Sequence, residues 1–210
     1  MKIGIIGAGH IGSTTARLFV DAGHEVALSN SRGPETLRDL VAELGTSAQA
    51  MTPAEAARFG DVVLVAVPLK DYTSLPAGEL RGKIVIDAMN YYPGRDGHFA
   101  ALDSGNTASS ELLAAHLQGA RVVKAFNTIW FEHLKTRGRK DLPVEQRRVI
   151  PISGDDAEAK RIVSALIEAI GFGPYDLGGL HASTRQQPDT PIYNKDVTVE
   201  EARGIVTSAG

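Results

Sequence analysis

The stretch that decides the fold is Met1-Lys-Ile-Gly-Ile-Ile-Gly-Ala-Gly-His-Ile-Gly12. Its first half is a short apolar segment that predicts a buried β-strand over residues 2–6, and its second half is a glycine-rich turn. An amphipathic helix is expected next, because apolar side chains such as Leu18 and Ala22 recur at helical spacing. The chain therefore opens with a strand, a glycine turn and a helix.

This order gives the three glycines of the G-x-G-x-x-G pattern distinct physical roles. Gly7 permits a tight turn, Gly9 lets a phosphate approach the backbone, and Gly12 allows the helix to pack closely on the strand. The helix N-terminus adds free N–H groups and the positive end of a dipole. A glycine-rich turn without a ligand is the alternative, but the strand–turn–helix context favours a dinucleotide site. Its backbone is expected to comprise Gly7, Ala8, Gly9, His10, Ile11 and Gly12.

The end of the second predicted strand, residues 25–29, indicates which dinucleotide binds. An NAD site places a carboxylate there to accept hydrogen bonds from the ribose 2′-OH, and this chain has none. Ser31 and Arg32 follow instead, and a hydroxyl beside a guanidinium suits a 2′-phosphate. A solvated Arg32 and a helix-capping Ser31 are the alternative. We expect NADP rather than NAD.

Three further strand ends are candidates for ligand contact, because ligands of open α/β sheets bind beyond the carboxyl ends of the strands. The apolar run over residues 61–67 stops at Pro68, so Val67 and Pro68 should lie beside the dinucleotide, although Pro68 also simply ends a strand. A polar–aromatic loop with Asn90 follows the strand at 84–87. Asn127 follows the strand at 121–126, where it is either a ligand contact or a helix N-cap.

Other local features predict structure. Ser109 or Ser110 is expected to cap a helix. Residues 127–129 are expected to open another helix, from which Trp130 would pack into the hydrophobic core. The predicted fold is α/β, a Rossmann-type doubly wound parallel sheet with a smaller C-terminal α/β portion. We expect an NADP-binding domain over residues 1–135 and an acceptor-side portion over 148–210, which could extend the same sheet. The polar loop at 136–147 would separate them.

Composition limits the remaining functions. The net charge of −3, without a basic run, gives no reason to expect nucleic acid or a membrane surface as partner. The absence of cysteine excludes disulfides and thiolate metal sites and fits a cytoplasmic protein, and the start of the chain has no apolar leader. The histidines show no metal-ligand spacing, so no metal site is predicted.

The chemistry expected is hydride transfer to a small-molecule redox acceptor. No catalytic side chain is predicted, because hydride exchange between a nicotinamide and a flavin-like ring needs juxtaposed rings more than a proton donor. Carbonyl reduction would need a placed acid, and no Y-x-x-x-K pattern occurs. A non-catalytic NADP-binding redox sensor, with a closed cleft, is the competing hypothesis. The sequence does not decide the oligomeric state, and a homodimer is one possibility.

The sequence resembles the F420-dependent NADP oxidoreductase family over nearly its whole length. The resemblance rests on the glycine turn and on Gly23-His-Glu-Val26, Ser31-Arg32, Val62 to Pro68, Lys124-Ala-Phe-Asn-Thr-Ile129, Ile152-Ser-Gly-Asp-Asp156 and Tyr175-Asp-Leu-Gly-Gly179. It implies that NADP lies across the glycine turn with its 2′-phosphate on Ser31 and Arg32. It also implies that a deazaflavin, coenzyme F420, stacks on the nicotinamide near Asn127.

The C-terminal segment departs from that family, being polar and charged after Pro191. The same module is similar to the cytosolic domain of transmembrane ferric reductases, which passes electrons from NADPH to flavin, so a flavin is the second acceptor considered. Residues 90–97, Asn127 and residues 181–185, including His181, are expected to form the acceptor side.

Overall fold

A computed structural model describes residues 1–207 and shows one eight-stranded sheet. The strands are β1 (Lys2–Ile6), β2 (Glu25–Ser29), β3 (Ala48–Ala50), β4 (Val62–Val65), β5 (Ile84–Asp87), β6 (Arg121–Lys124), β7 (Val149–Gly154) and β8 (Gly173–Asp176). They lie in the order β3-β2-β1-β4-β5-β6-β7-β8. The chain order reverses between β1 and β4, and this is where ligands of doubly wound sheets bind.

The first six strands are mutually parallel, so their carboxyl ends share one edge of the sheet. Strand β7 joins β6 in antiparallel orientation, and β8 is parallel to β7. The C-terminal part of the chain therefore continues the sheet of the N-terminal part, as the sequence analysis had allowed. Whether the two parts fold as separate units stays a prediction.

Ten α-helices connect and cover the strands of the described chain. They are α1 (His10–Asp21), α2 (Arg38–Leu44), α3 (Pro53–Phe59), α4 (Ala77–Leu80), α5 (Pro93–Asp96), α6 (Ala100–Asp103), α7 (Ser109–His116), α8 (Phe131–Thr136), α9 (Ala157–Ala169) and α10 (Val199–Thr207). Short 3₁₀ helices occupy Pro34–Leu37, Gly45–Ser47, Leu69–Ser74, Val144–Gln146 and Leu180–Gln186. No helix within residues 1–207 has the length and apolar character that crossing a membrane requires.

The sheet is covered on both faces, which explains why β4 is continuously apolar. Successive side chains of a strand point to opposite faces. Leu64 accordingly belongs to the core cluster that contains Phe19 of α1 and Val163 of α9, whereas Val65 belongs to the cluster that contains Leu113 of α7. Both clusters anchor the helices whose ends surround the carboxyl edge of the sheet.

Two local predictions were wrong. Neither Ser109 nor Ser110 precedes α7, because the residue before it is Ala108, whose backbone N–H donates to the Glu111 carboxylate at 2.7 Å. Trp130 is not in the core: it is 51% exposed and precedes α8, which begins at Phe131 rather than near residue 127. Helical spacing could not show that residues 127–130 form a non-helical turn before α8.

Candidate functional site

The first of two cavities at the carboxyl edge of the sheet lies against the glycine turn and measures about 480 Å³. The predicted site residues that line it are Gly7, Ala8, Gly9, Ser31, Arg32, Val67 and Pro68. Residues of this cavity that sequence reasoning missed are Ile6, Asn30, Pro53, Ala66, Asp71, Ser74 and Leu75. The structure thus brings the ends of β1, β2 and β4 together around one space.

The three glycines of the turn differ in what surrounds them. Gly7 adopts φ +108°, and a Cβ there would lie 2.4 Å from the carbonyl oxygen of Ala66. A Cβ on Gly12 would lie 1.8 Å from the carbonyl oxygen of Gly7, so this glycine is required for the helix to pack on the strand. A Cβ on Gly9 would meet nothing within 4 Å. That space is where a phosphate group would approach the backbone.

The N-terminus of α1 faces the same turn without a capping side chain. Gly9 is the N-cap residue, and no side chain accepts a hydrogen bond there. Ser13 is the first residue of α1 whose backbone N–H makes a helical hydrogen bond, which it donates to the Gly9 carbonyl at 2.8 Å. The preceding N–H groups and the positive end of the helix dipole are therefore suited to an anion such as a pyrophosphate.

The loop after β2 presents a cation to the first cavity. Ser29 is buried and its hydroxyl donates to the Ile5 carbonyl at 3.0 Å, so it points away from a ligand. The Asn30 side chain shapes the loop by accepting from the backbone N–H of Arg32 at 2.9 Å and donating to Thr36 at 2.9 Å. The Arg32 guanidinium has no hydrogen bond or ion pair with the described residues, which leaves its fork of donors free for a phosphate.

A second cavity of about 300 Å³ lies on the other side of the glycine turn. It contains the predicted residues Ile11, Asn90 and Asn127. The remaining lining is Ala88, Tyr92, Phe126, Ile129, Trp130, Phe131, Tyr193 and Asn194. His10 lies at the turn between the cavities, where its ring stacks on that of Phe131 with centroids 4.2 Å apart.

The side chain of Asn127 is held by hydrogen bonds and is not a helix N-cap. Its amide donates to Asn90 Oδ1 at 3.0 Å and to the Gln186 carbonyl at 2.7 Å, and its oxygen accepts from Gln186 Nε2 at 3.0 Å. Asn90 donates in return to the Asn127 carbonyl at 2.9 Å. Phe126, which precedes it, has φ +64°, an uncommon backbone conformation for a residue other than glycine. The two asparagines therefore form a fixed wall of the second cavity.

A fully buried ion pair supports this wall from below. Lys124 Nζ lies 3.1 Å from Asp87 Oδ2 and donates to the Met89 carbonyl at 2.6 Å, and both side chains are 0% exposed. Asp87 also accepts from Ser110 Oγ at 2.7 Å and from the Met89 N–H at 2.9 Å. Since the pair is well satisfied with hydrogen bonds, it fixes the backbone leading to Asn90. The sequence analysis did not predict this pair, because Asp87 only ended one predicted strand and Lys124 lay within another, over residues 121–126.

The segment at 181–185 does not line the second cavity. His181 Nδ1 lies 3.0 Å from the Glu111 carboxylate at the start of α7. The contribution of this part of the chain comes one residue later, through Gln186. Gln186 is completely buried and also accepts from Ser153 Oγ at 2.7 Å, which ties the C-terminal segment to β7.

The fold and the glycine turn define a Rossmann-type, dinucleotide-binding protein. The family model for "NADP oxidoreductase coenzyme F420-dependent" proteins matches residues 2–91. A solved structure of a "putative F420 dependent NADP-reductase" from Arthrobacter sp. FB24 has a TM-score of 0.74 and 27% identity, covering 88% of this chain and 87% of that chain. Residues 2–91 therefore belong to this NADP oxidoreductase family, and the likeness to the Arthrobacter structure extends over most of the chain.

Two other relatives extend the likeness beyond the family model. The crystal structure of hypothetical protein SMa0349 from Sinorhizobium meliloti has a TM-score of 0.81 and 34% identity, covering 94% of this chain and 95% of that chain. Metalloreductase STEAP3 of Rattus norvegicus is 34% identical over 193 residues, which is 91% of this chain and 36% of that protein. The chain thus spans about a third of the length of the metalloreductases it matches.

Proposed function

We propose that this protein transfers hydride between NADP(H) and a planar organic acceptor, with coenzyme F420 as the first candidate. The observation that carries the proposal is the pair of cavities on either side of the glycine turn. An extended dinucleotide whose pyrophosphate lies at the N-terminus of α1 would reach into both. Its adenosine end would occupy the cavity with Arg32, and its nicotinamide would enter the cavity with Asn127.

The preference for NADP rests on the charges around the first cavity. Arg32 is exposed at its rim, without a partner among the described residues, and Ser31 supplies a neighbouring hydroxyl. No acidic residue ends β2, where an NAD site would hold the ribose 2′-OH. The 2′-phosphate of NADP could therefore pair with Arg32, whereas the ribose 2′-OH of NAD would have no carboxylate to accept its hydrogen bond.

The acceptor would enter the second cavity, which is rich in aromatic side chains: Tyr92, Phe126, Trp130, Phe131 and Tyr193. Exposed and half-buried aromatic rings can pack against a planar ring system. Membership of the F420-dependent family supports a deazaflavin as that ring. Tyr92 and Trp130 are exposed, so this cavity opens to solvent, whereas the alternative of a non-catalytic sensor predicts a closed cleft.

A flavin is the second candidate acceptor, and the similarity to Metalloreductase STEAP3 favours it. In this alternative, the reduced flavin would pass electrons onward to a metal ion as substrate. The described residues contain no group of three histidine, aspartate or glutamate side chains that could hold a metal. A ferric complex would then be reduced through the flavin and not at a resident metal site.

The test is an anaerobic spectrophotometric assay with NADPH that follows both chromophores while F420, FMN and FAD are offered in turn. Oxidation of NADPH matched by reduction of F420 supports the first candidate. Reduction of flavin alone, with a ferric chelate reduced only when flavin is present, supports the second. Tight NADPH binding without reduction of any ring would overturn the proposal and favour the sensor.

A further inference from the structure

Two tyrosines far apart in sequence meet in the second cavity. Tyr92 follows β5 and immediately precedes α5, and Tyr193 belongs to the C-terminal segment, 101 residues later. Their hydroxyl groups are hydrogen-bonded to each other. Tyr193 also accepts from Asn90 Nδ2 at 3.4 Å, which connects the pair to the wall formed by Asn90 and Asn127.

The pair has one hydroxyl proton to spare. Two hydroxyls carry two protons, and the contact between the oxygens uses one of them, whichever tyrosine donates. The bond from Asn90 supplies its own proton and so uses neither. Within residues 1–207, no acceptor for the second hydroxyl proton is found. A donor is therefore available to a molecule in the second cavity.

Neighbouring groups hold the two rings in place. The Arg95 guanidinium lies over the Tyr92 ring, 4.9 Å from its centroid, and donates to the Asn90 carbonyl at 2.7 Å. Arg95 is itself paired with the buried Asp96 carboxylate at 2.8 Å. Partial burial, together with the hydrogen bond to Tyr92, raises the pKa of Tyr193 above its usual range. The Tyr193 hydroxyl thus remains neutral, and able to donate, throughout the physiological pH range.

We infer that the Tyr92–Tyr193 pair is the hydrogen-bond donor that stabilises negative charge on the acceptor as hydride arrives. This inference rests on the proposed function. The C–H bond at the nicotinamide breaks with its electron pair, a new bond to hydrogen forms on the acceptor ring, and NADP⁺ is left. The acceptor ring gains one negative charge in that step, and any proton that later neutralises the ring comes from water. A fixed donor aimed at developing charge is an effective form of catalysis.

The inference also defines a substrate class. The donor favours organic acceptors whose reduction places charge on an oxygen or nitrogen, such as the pyrimidinedione part of a flavin or deazaflavin. It gives no advantage to an acceptor that starts as a cation and becomes neutral. This difference separates a role in charge stabilisation from a role in shaping the cavity.

The experiment compares Tyr92→Phe and Tyr193→Phe with the wild-type protein and with Tyr175→Phe. Tyr175 lies in β8 and packs on a separate apolar cluster, so its variant controls for loss of a hydroxyl elsewhere. With FMN or F420 as acceptor, kcat should fall in the first two variants because the hydrogen-bond donor is lost. The fall should be limited to about 10- to 100-fold, because the site is partly open to water. The dissociation constant for NADPH should stay unchanged. With the N-methylacridinium cation, the rate should change less than about twofold.

A binding measurement provides a readout independent of turnover. Anaerobically reduced FMN, whose ring carries the added negative charge, should bind more tightly relative to oxidised FMN in the wild-type protein than in Tyr92→Phe. Equal slowing with FMN and with the cationic acceptor would mean that the tyrosines only shape the cavity and would overturn the inference. So would unchanged rates in both variants. Wild-type protein that reduces no acceptor at all would instead overturn the proposed function, and this inference with it.

Discussion

Arg32→Ala probes the proposed 2′-phosphate site directly. The guanidinium lies at the rim of the first cavity and is exposed, so its loss breaks no hydrogen bond or ion pair with the described residues. Two charge-assisted hydrogen bonds to a phosphate would be lost. Such a bond contributes about 1.5–3 kcal/mol, and solvent exposure reduces the total for the two bonds to about 2 kcal/mol. The dissociation constant for NADPH should therefore rise about 30-fold.

The assay is a fluorescence titration with NADPH and, in parallel, with NADH, at one fixed ionic strength because salt screens this interaction. The affinity for NADH should remain unchanged, since NADH lacks the 2′-phosphate. Arg38→Ala is the matched control: Arg38 is an exposed arginine at the start of α2 that does not line the cavity. Unchanged NADPH affinity in Arg32→Ala, or an equal loss for NADH, would refute the assignment of the 2′-phosphate site.

Three other variants or titrations test the structure more widely. Gly9→Ala should fold with a normal melting temperature but bind NADPH weakly, because its Cβ enters the open space where phosphate would lie. Gly12→Ala should lower the melting temperature itself, because its Cβ would lie 1.8 Å from a backbone oxygen. The reverse pattern would contradict these roles. Lys124→Met should lower the free energy of unfolding, measured by urea denaturation, by about 3–5 kcal/mol, because it leaves the fully buried Asp87 carboxylate unpaired. The hydrogen bonds from Arg139 lower the pKa of Asp141 to about 2, so NMR titration should show its midpoint there. Because the pKa is lowered in the folded state, this ion pair stabilises the fold fully above pH ~4 and stops contributing as pH falls through about 2. A midpoint near the ordinary value would refute the pairing.

Local periodicity was sufficient for much of the fold. Residues 2–6, 25–29 and 84–87 were predicted as strands with the bounds that the structure has. Each is a short apolar run bounded by turn residues, and in a parallel sheet covered on both faces such runs have few alternative structures. The glycine turn was equally predictable, because the positive φ of Gly7 and the close approach of Gly12 to the Gly7 carbonyl both arise within the turn.

The predictions at strand ends were less complete. Asn90 and Asn127 do lie together in one cavity, as expected from the shared carboxyl edge of parallel strands. Their hydrogen bonds to each other and to Gln186 could not be predicted, because Gln186 lies 59 residues beyond Asn127. The same limitation applies to Trp130, whose exposure depends on a non-helical turn that hydrophobic spacing does not reveal.

The sequence by itself determined the Rossmann topology of the N-terminal half, the glycine turn and the cation at the end of β2. These depend on short-range sterics, periodicity and the identity of single residues. Only the tertiary structure decided that the C-terminal segment returns to the sheet edge and places Tyr193 against Tyr92. It also decided that Lys124 and Asp87 neutralise each other in the core. Such contacts arise between residues distant in sequence, and their partners are chosen by the packing of the whole sheet.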